Sequence, residues 1–412
     1  MRKILFFVLI LMVFFAEAKA QKKPTGKVKE ENFKAAVLVL GNRNAAVAAA
    51  IQSAISGVNT TILLQAGGFD IASPINDLSS GFQDKFLKKY KEGFFLTKDS
   101  VELGGSFDKL KANSILKLIT DSIKNLKVIR NVMWVKAERS GNNWNFKLSD
   151  GSTLKPKVLI NAGDEKLNEA LKIDVKSSQK WAKLAYHTTI YRTSVAAGKS
   201  DNGTNATIFS LYDFFIPQQE NFVWICDPQS MELGQAAGAT AAYAAFYDTK
   251  TSLSNLKKIQ GELINYKLNL MPYADIKTAD TNWKAIQFVG VTGILKADIN
   301  GTAANFSPDK LVTTEEIKQP FKDFYYKAQI WFDDYKSPQM TIGSAIDMVC
   351  YVGNKSLEDT KKGLEKKWKT TYQFKTELDL KRQINRREFA VLLQDYMPPF
   401  NVNVDSNGKV VR

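Results

Sequence analysis

The chain reads as an α/β protein in which a βαβ unit comes first, an antiparallel β layer is inserted, and a smaller, mostly helical part closes the chain. Three observations predict this. Residues 35–40 (AAVLVL) and 60–64 (TTILL) are short apolar runs on either side of an Ala-rich stretch. Residues 176–230 are crowded with aromatic and β-branched side chains, and beyond about residue 272 the pattern turns to helices with polar starts.

The elements follow in order. The run at 35–40 ends at Gly41, as a strand buried on both faces does. Residues 44–56 (NAAVAAAIQSAIS) predict a helix stopped by Gly57, and 60–64 a second strand ending at Gln65-Ala66-Gly67-Gly68. Parallel strands joined through a helix this way imply a right-handed crossover and an α/β sheet. Residues 83–92 and 107–123 read as helices. Residues 127–136 (KVIRNVMWVK) and 143–148 (NWNFKL) read as strands about the turn Ser140-Gly141-Asn142. After Asp150-Gly151, residues 157–161 (KVLIN) form another buried strand that stops at Ala162-Gly163-Asp164. Residues 175–230 are the antiparallel layer, and a small-residue helix (LGQAAGATAAYAAFYD) begins at Leu233, followed by a helix at 254–267.

Beyond residue 272, two stretches read as diverged copies of one unit. The first is 285–317 and the second runs from 342, with an insertion, to 393. Each has a polar helix start, Thr313-Thr314-Glu315-Glu316 and Asn385-Arg386-Arg387-Glu388. This tandem resembles S-layer-homology repeats, which are helical hairpin modules.

Residues 1–20 predict an export signal. Arg2 and Lys3 precede an apolar run at 4–15, and Ala18-Lys19-Ala20 supplies the small-x-small pattern read by signal peptidase. That run is too short to cross a bilayer core of roughly 30 Å as a helix. The expected location is therefore periplasmic or extracellular, with cleavage near Ala20 and no transmembrane segment in the mature chain. Residues 21–32 (QKKPTGKVKEEN) read as a polar lead-in. The net charge of +15 comes from lysines scattered over polar helical faces. No nucleic-acid motif accompanies it, which argues against nucleic-acid binding. Cys226 and Cys350, the two cysteines of the chain, fall in different parts of it and read as separate thiols.

Three stretches together resemble the FAD-dependent oxidoreductase family: 37–68 (VLVLGNRNAAVAAAIQSAISGVNTTILLQAGG), 149–173 (SDGSTLKPKVLINAGDEKLNEALKI) and 231–246 (MELGQAAGATAAYAAF). The resemblance implies a flavoprotein-like, Rossmann-type domain over 33–272, followed by the helical module at 273–412. It places the adenosine end of an FAD site at Gly41, Arg43, Ala45, Ala46 and Gln65, and the middle at Gly163 and Asp164. The flavin end falls at Gly234, Gln235, Ala236, Ala237 and Gly238. The match to the family pattern is eroded. In the six-residue turn beginning at Gly41, Arg43 stands where glycine lets backbone approach a pyrophosphate, and Gln65 replaces the acid that takes the ribose hydroxyls. Weak or lost FAD binding follows.

No catalytic set stands beside this site. His187, the one histidine, falls in an alternating stretch (LAYHTTIY) that predicts a strand, and neither a serine-hydrolase elbow nor a Cys/His metal spacing occurs. Two functions remain open. One is an exported FAD-dependent oxidoreductase acting on a small carbohydrate-type substrate. The other is a cofactor-free protein of the same fold that binds or scaffolds, its C-terminal repeats contacting envelope polymer.

Overall fold

A computed structural model describes residues 33–73, 78–92, 107–175, 181–200 and 205–411. The predicted export segment and lead-in lie outside these residues. Strand β1 (Val37–Leu40) has every residue buried, and so has β2 (Thr60–Leu64). They pair in parallel, Val37 opposite Thr60. Between them runs helix α1 (Asn44–Ile55), eleven of whose twelve residues are buried. A helix apolar on all sides has to be covered on all sides, and the sheet covers only one.

Helices α2 (Gly81–Glu92) and α3 (Lys109–Asp121) lead to β3 (Leu126–Arg130), which pairs in parallel with β2. The stretch read as one strand at 127–136 is in fact two. Asn131 takes a left-handed backbone conformation (φ 57°), ending β3 and redirecting the chain into β4 (Trp134–Ser140). Strands β4, β5 (Asn143–Leu148) and β6 (Thr153–Leu154) form a separate antiparallel sheet. Trp144, Phe146 and Leu148, at period two on β5, pack with Leu38, Leu40 and Leu159 in a core of their own. Strand β7 (Val158–Asn161) then pairs with β1 on the side away from β2.

Short helix α4 (Glu165–Ala170) precedes a layer in which β8 (Ala182–Lys183) and β9 (Ser194–Ser200) flank β10 (Asn205–Ser210), all antiparallel. This layer ends earlier than the sequence predicts. Strand β11 (Phe222–Trp224), assigned to it above, pairs in parallel with β7 instead, because the apolar pair Phe222 and Val223 is buried in the main sheet. The main sheet is thus fully parallel, in the order β11-β7-β1-β2-β3. His187 lies in an exposed bend, not in a strand.

Helix α5 (Met231–Phe246) covers the remaining face of α1. The two backbones touch, since a Cβ on Gly234 would lie 2.1 Å from the Ala45 carbonyl oxygen and one on Gly238 would lie 2.3 Å from that of Ala49. Helix α6 (Leu256–Asn265) follows, then α7 (Trp283–Thr292), which ends at Gly293 in the left-handed conformation. A hairpin, β12 (Asp298–Asn300) with β13 (Ala303–Asn305), leads into five helices: α8 (Thr314–Phe324), α9 (Tyr326–Asp334), α10 (Ile342–Gly353), α11 (Leu357–Lys367) and α12 (Arg386–Tyr396). One continuous core joins Val39 and Ala49 to Leu295, Phe321 and Leu393.

Three members of this C-terminal part are equivalent, where sequence comparison picked out two copies. Helices α8, α10 and α12 start at Thr313, Thr341 and Asn385, and each of these caps its helix through its side chain. The residue before each cap closes a ring. Val312 N–H donates to the Ile384 carbonyl (3.0 Å), Ile384 N–H to Met340 (3.0 Å), and Met340 N–H to Val312 (3.2 Å). The middle member escaped notice because Thr341-Ile342-Gly343-Ser344 lacks the acidic residues that mark the other two starts.

Candidate functional site

The chain leaves β1 towards β2 on one side, and β7 flanks β1 on the other, so the carboxyl ends of β1 and β7 form a topological switch point, where open α/β sheets bind ligands. The turns after these strands touch. Gly41 sits at φ 131°, and a Cβ there would lie 2.6 Å from the Ala162 carbonyl oxygen. Ala45 and Ala46 are buried in the first turn of α1. Arg43, the residue before the helix, offers no capping side chain. Its half-exposed guanidinium lies 3.9 Å from Asp70, whose carboxyl is held below its usual range first by a hydrogen bond from Lys109.

The polar groups at this crevice are paired with one another. Ala45 N–H donates to the Pro228 carbonyl at 3.0 Å. Asn44 donates to the Ala72 carbonyl and accepts from the Ala72 N–H, both at 3.0 Å, while Asp70 N–H donates to the Asn42 carbonyl. Residues 70–72 are thereby strapped across the turn. At the end of β2, Gln65 donates to Asp164 Oδ2 at 2.8 Å, and the Trp134 indole N–H donates to the same oxygen at 2.7 Å. Asp164 Oδ1 accepts from Leu167 N–H and so caps α4. Because β1 lies between β2 and β7, the Gln65–Asp164 bond spans the crevice over the end of β1.

The remaining sequence-predicted residues are brought close to this crevice but are used for packing. Gly234 and Gly238 admit α1, and Ala236 and Ala237 are fully buried. Gln235 donates to Gln52 at 2.9 Å and accepts from Phe82 N–H at 2.8 Å. Gly163 is exposed, at φ 105°. One of the first-turn N–H groups of α1, that of Ala45, is held by a carbonyl oxygen, and the amide of Gln65 is tied to the Asp164 carboxylate.

A second feature lies at the N-terminus of α5. A cavity of about 260 Å³ opens there, lined by Gln83, Trp181, Gly198, Asp227, Ser230 and Glu232 among others. Ser230 caps α5 by accepting from Leu233 N–H. Glu232, 9% exposed, receives among the described residues one hydrogen bond from another residue, the Ser230 hydroxyl at 3.2 Å. Burial, with Asp84 and Asp227 adding, pushes its carboxyl up to about 7. Trp181 donates its indole N–H to Asp227 Oδ2 at 3.3 Å. Nearby, burial raises Cys226 to about 11, which keeps it a thiol. Sequence reasoning missed Trp181, Asp227 and Glu232. The one available signal was the Ser-Met-Glu start of the small-residue helix, which reads as ordinary capping.

No protein-family model matches the chain, and no curated protein matches it. Among solved structures it is similar to GidA of Aquifex aeolicus, at 15% identity over 31% of this chain and 25% of that one, TM-score 0.23. It is similar to a flavoprotein/dehydrogenase from Cytophaga hutchinsonii at 14% identity, over 35% and 44% of the two chains, TM-score 0.24. A third is p-nitrophenol 4-monooxygenase PnpA of Pseudomonas putida DLL-E4, at 9% identity over 52% and 78%, TM-score 0.28. The chain spans a quarter of the length of the GidA structure. At such identities and scores nothing about chemistry carries across. The class is set by the chain's own topology: a flavoprotein-like, Rossmann-type α/β fold with an inserted antiparallel layer and a helical C-terminal region.

Proposed function

We propose that this chain is an exported binding protein on a flavoprotein-like fold that works without FAD. The observation that carries the reading is the Ala45 N–H bonded to the Pro228 carbonyl at 3.0 Å, with residues 70–72 strapped over the same turn. A helix N-terminus attracts an anion through its free N–H groups, and here one of those groups is already satisfied by backbone. The competing reading, an FAD-dependent oxidoreductase acting on a carbohydrate-type substrate, draws on the Gly-rich start of α5, and those glycines serve contact with α1.

The C-terminal module is the part of the chain we assign to envelope polymer. It carries a cavity of about 450 Å³ lined by polar and aromatic side chains, including Asp280, Asn282, Tyr372 and Arg387. Arg387 donates to both carboxyl oxygens of Asp280, at 2.6 and 2.8 Å, which fixes one wall.

The test is an absorbance spectrum of the purified protein before and after soaking with excess FAD and desalting. The expected result is a folded, colourless protein on both occasions. The Arg43→Gly, Gln65→Glu double variant is expected to stay colourless too, because neither change frees the Ala45 N–H. Flavin bands retained by the native chain would overturn the proposal.

A further inference from the structure

The cleft at the start of α5 differs in charge from the protein around it. The chain carries 57 Lys and Arg against 42 Asp and Glu, yet the described residues lining the cleft include two acids, Asp227 and Glu232, and no Lys, Arg or His. An acidic concavity in a basic protein concentrates cations against the prevailing field.

Glu232 is the centre of the argument. It is nine-tenths buried, and among the described residues it receives one hydrogen bond from another residue and forms no salt bridge. A buried carboxyl with so few partners is costly to keep, and such groups concentrate at functional sites. Asp227 is held differently. The Trp181 indole N–H and the Gln229 backbone N–H (3.0 Å) each donate to one of its two carboxyl oxygens, which fixes the orientation of the group. The Trp181 ring is itself held edge-on by Phe209, with centroids 5.7 Å apart, and rests beside Gly198, which has no side chain to displace it. Two carboxyls and an indole around one small space are the groups that recognise an organic ammonium, by charge and by the ring face.

We infer that this cleft binds a small organic cation, an amine or quaternary ammonium, with its charge between Asp227 and Glu232 and its carbon skeleton against Trp181. The volume, about 260 Å³, falls just below the roughly 300–1,000 Å³ of drug-sized sites, which limits the ligand to a few carbons around the charge. The charged groups acting on Glu232 are Asp84 on α2 and Asp227 on the turn before α5, and both favour its protonated form. A bound cation works against them and draws the proton off.

The experiment is calorimetric titration of the full chain with n-butylammonium and tetramethylammonium, with glucose and butyrate as controls, at pH 6 and pH 8. The cations are expected to saturate and to bind about tenfold more tightly at pH 8, while glucose and butyrate give no saturable heat. Glu232→Gln keeps the side-chain volume and is expected to remove the pH dependence and weaken binding about tenfold. Trp181→Ala is expected to weaken tetramethylammonium more than n-butylammonium. Circular dichroism on each variant separates lost binding from lost fold. No saturable heat from either cation on the native protein, or an unchanged pH dependence in folded Glu232→Gln, overturns the inference. It rests on the cofactor-free reading, and the two fail differently. Flavin bands in the purified protein overturn both, whereas a colourless protein that ignores cations overturns this one alone.

Discussion

The two places where α1 and α5 begin lie side by side, and they treat polar groups in opposite ways. At the α1 turn several donors and acceptors are paired within the chain: Ala45 with Pro228, Asn44 with Ala72, and Gln65 and Trp134 with Asp164. At the α5 start Glu232 is buried, and among the described residues one other residue, Ser230, donates a hydrogen bond to its carboxyl. The difference teaches where to look for a ligand in this fold. Where a group is already bonded within the chain, a bond to a visitor replaces one already made and so gains little free energy. A buried acid short of partners still has that free energy to give.

The comparison can be broken most severely through the scaffold both places share. Gly234→Val would put side-chain atoms where a Cβ alone already lies 2.1 Å from the Ala45 carbonyl oxygen. It is expected to cost about 3 kcal/mol or more, read as a lowered urea midpoint or loss of soluble protein. A midpoint within error of the native chain would mean that the helices can part cheaply.

Next in size is the titration of Glu232. Its folded carboxyl titrates near 7, while an unfolded glutamate titrates near 4.3. The folded state therefore holds an extra proton between these values, and this group's contribution to stability falls as pH rises through that window. Glu232→Gln stays neutral throughout, so it is expected to match the native chain at pH 5 and to exceed it at pH 8 by on the order of 2–3 kcal/mol. Urea unfolding at the two pH values measures the difference, and equal gaps at both would refute it. The smallest effect belongs to the crevice beside the α1 turn. Asp164→Ala removes the acceptor for Gln65 and Trp134 together with the α4 cap, and is expected to cost about 2 kcal/mol. A thermal melt would detect that as a shift of a few degrees.

The parts of the fold that could be read in the sequence are those in which local pattern and burial agree. Residues 60–64 were read as a strand and are one, and the Ala-rich stretch ending before Gly57 is a helix over Asn44–Ile55. In both places a short apolar run is bounded by glycine and covered on all sides, so pattern and tertiary contact demand the same thing. Pairing at a distance could not be read this way. Nothing in Phe222–Trp224 says whether it joins β7 or the antiparallel layer, because a buried strand looks the same in either sheet. Asn131 breaks 127–136 through a backbone angle open to few residues but compulsory for none. At the candidate site, the departure of Arg43 and Gln65 from the family pattern was legible in their side chains. Their neighbours Pro228, Ala72 and Asp164 were not, because they come from far along the chain.

The ring through Val312, Met340 and Ile384 carries a consequence for how this chain can change. A loop of three hydrogen bonds has no first or last member, so each segment is positioned by the other two and not by its distance along the chain. The connector from Met340 to Ile384 is already longer than that from Val312 to Met340, and it accommodates all of α11 without opening the circle. Growth is therefore cheap between the members and forbidden within them. Over evolutionary time such an arrangement behaves like a hub with spokes of free length, and insertions in this half of the protein should accumulate between the spokes and leave the hub untouched.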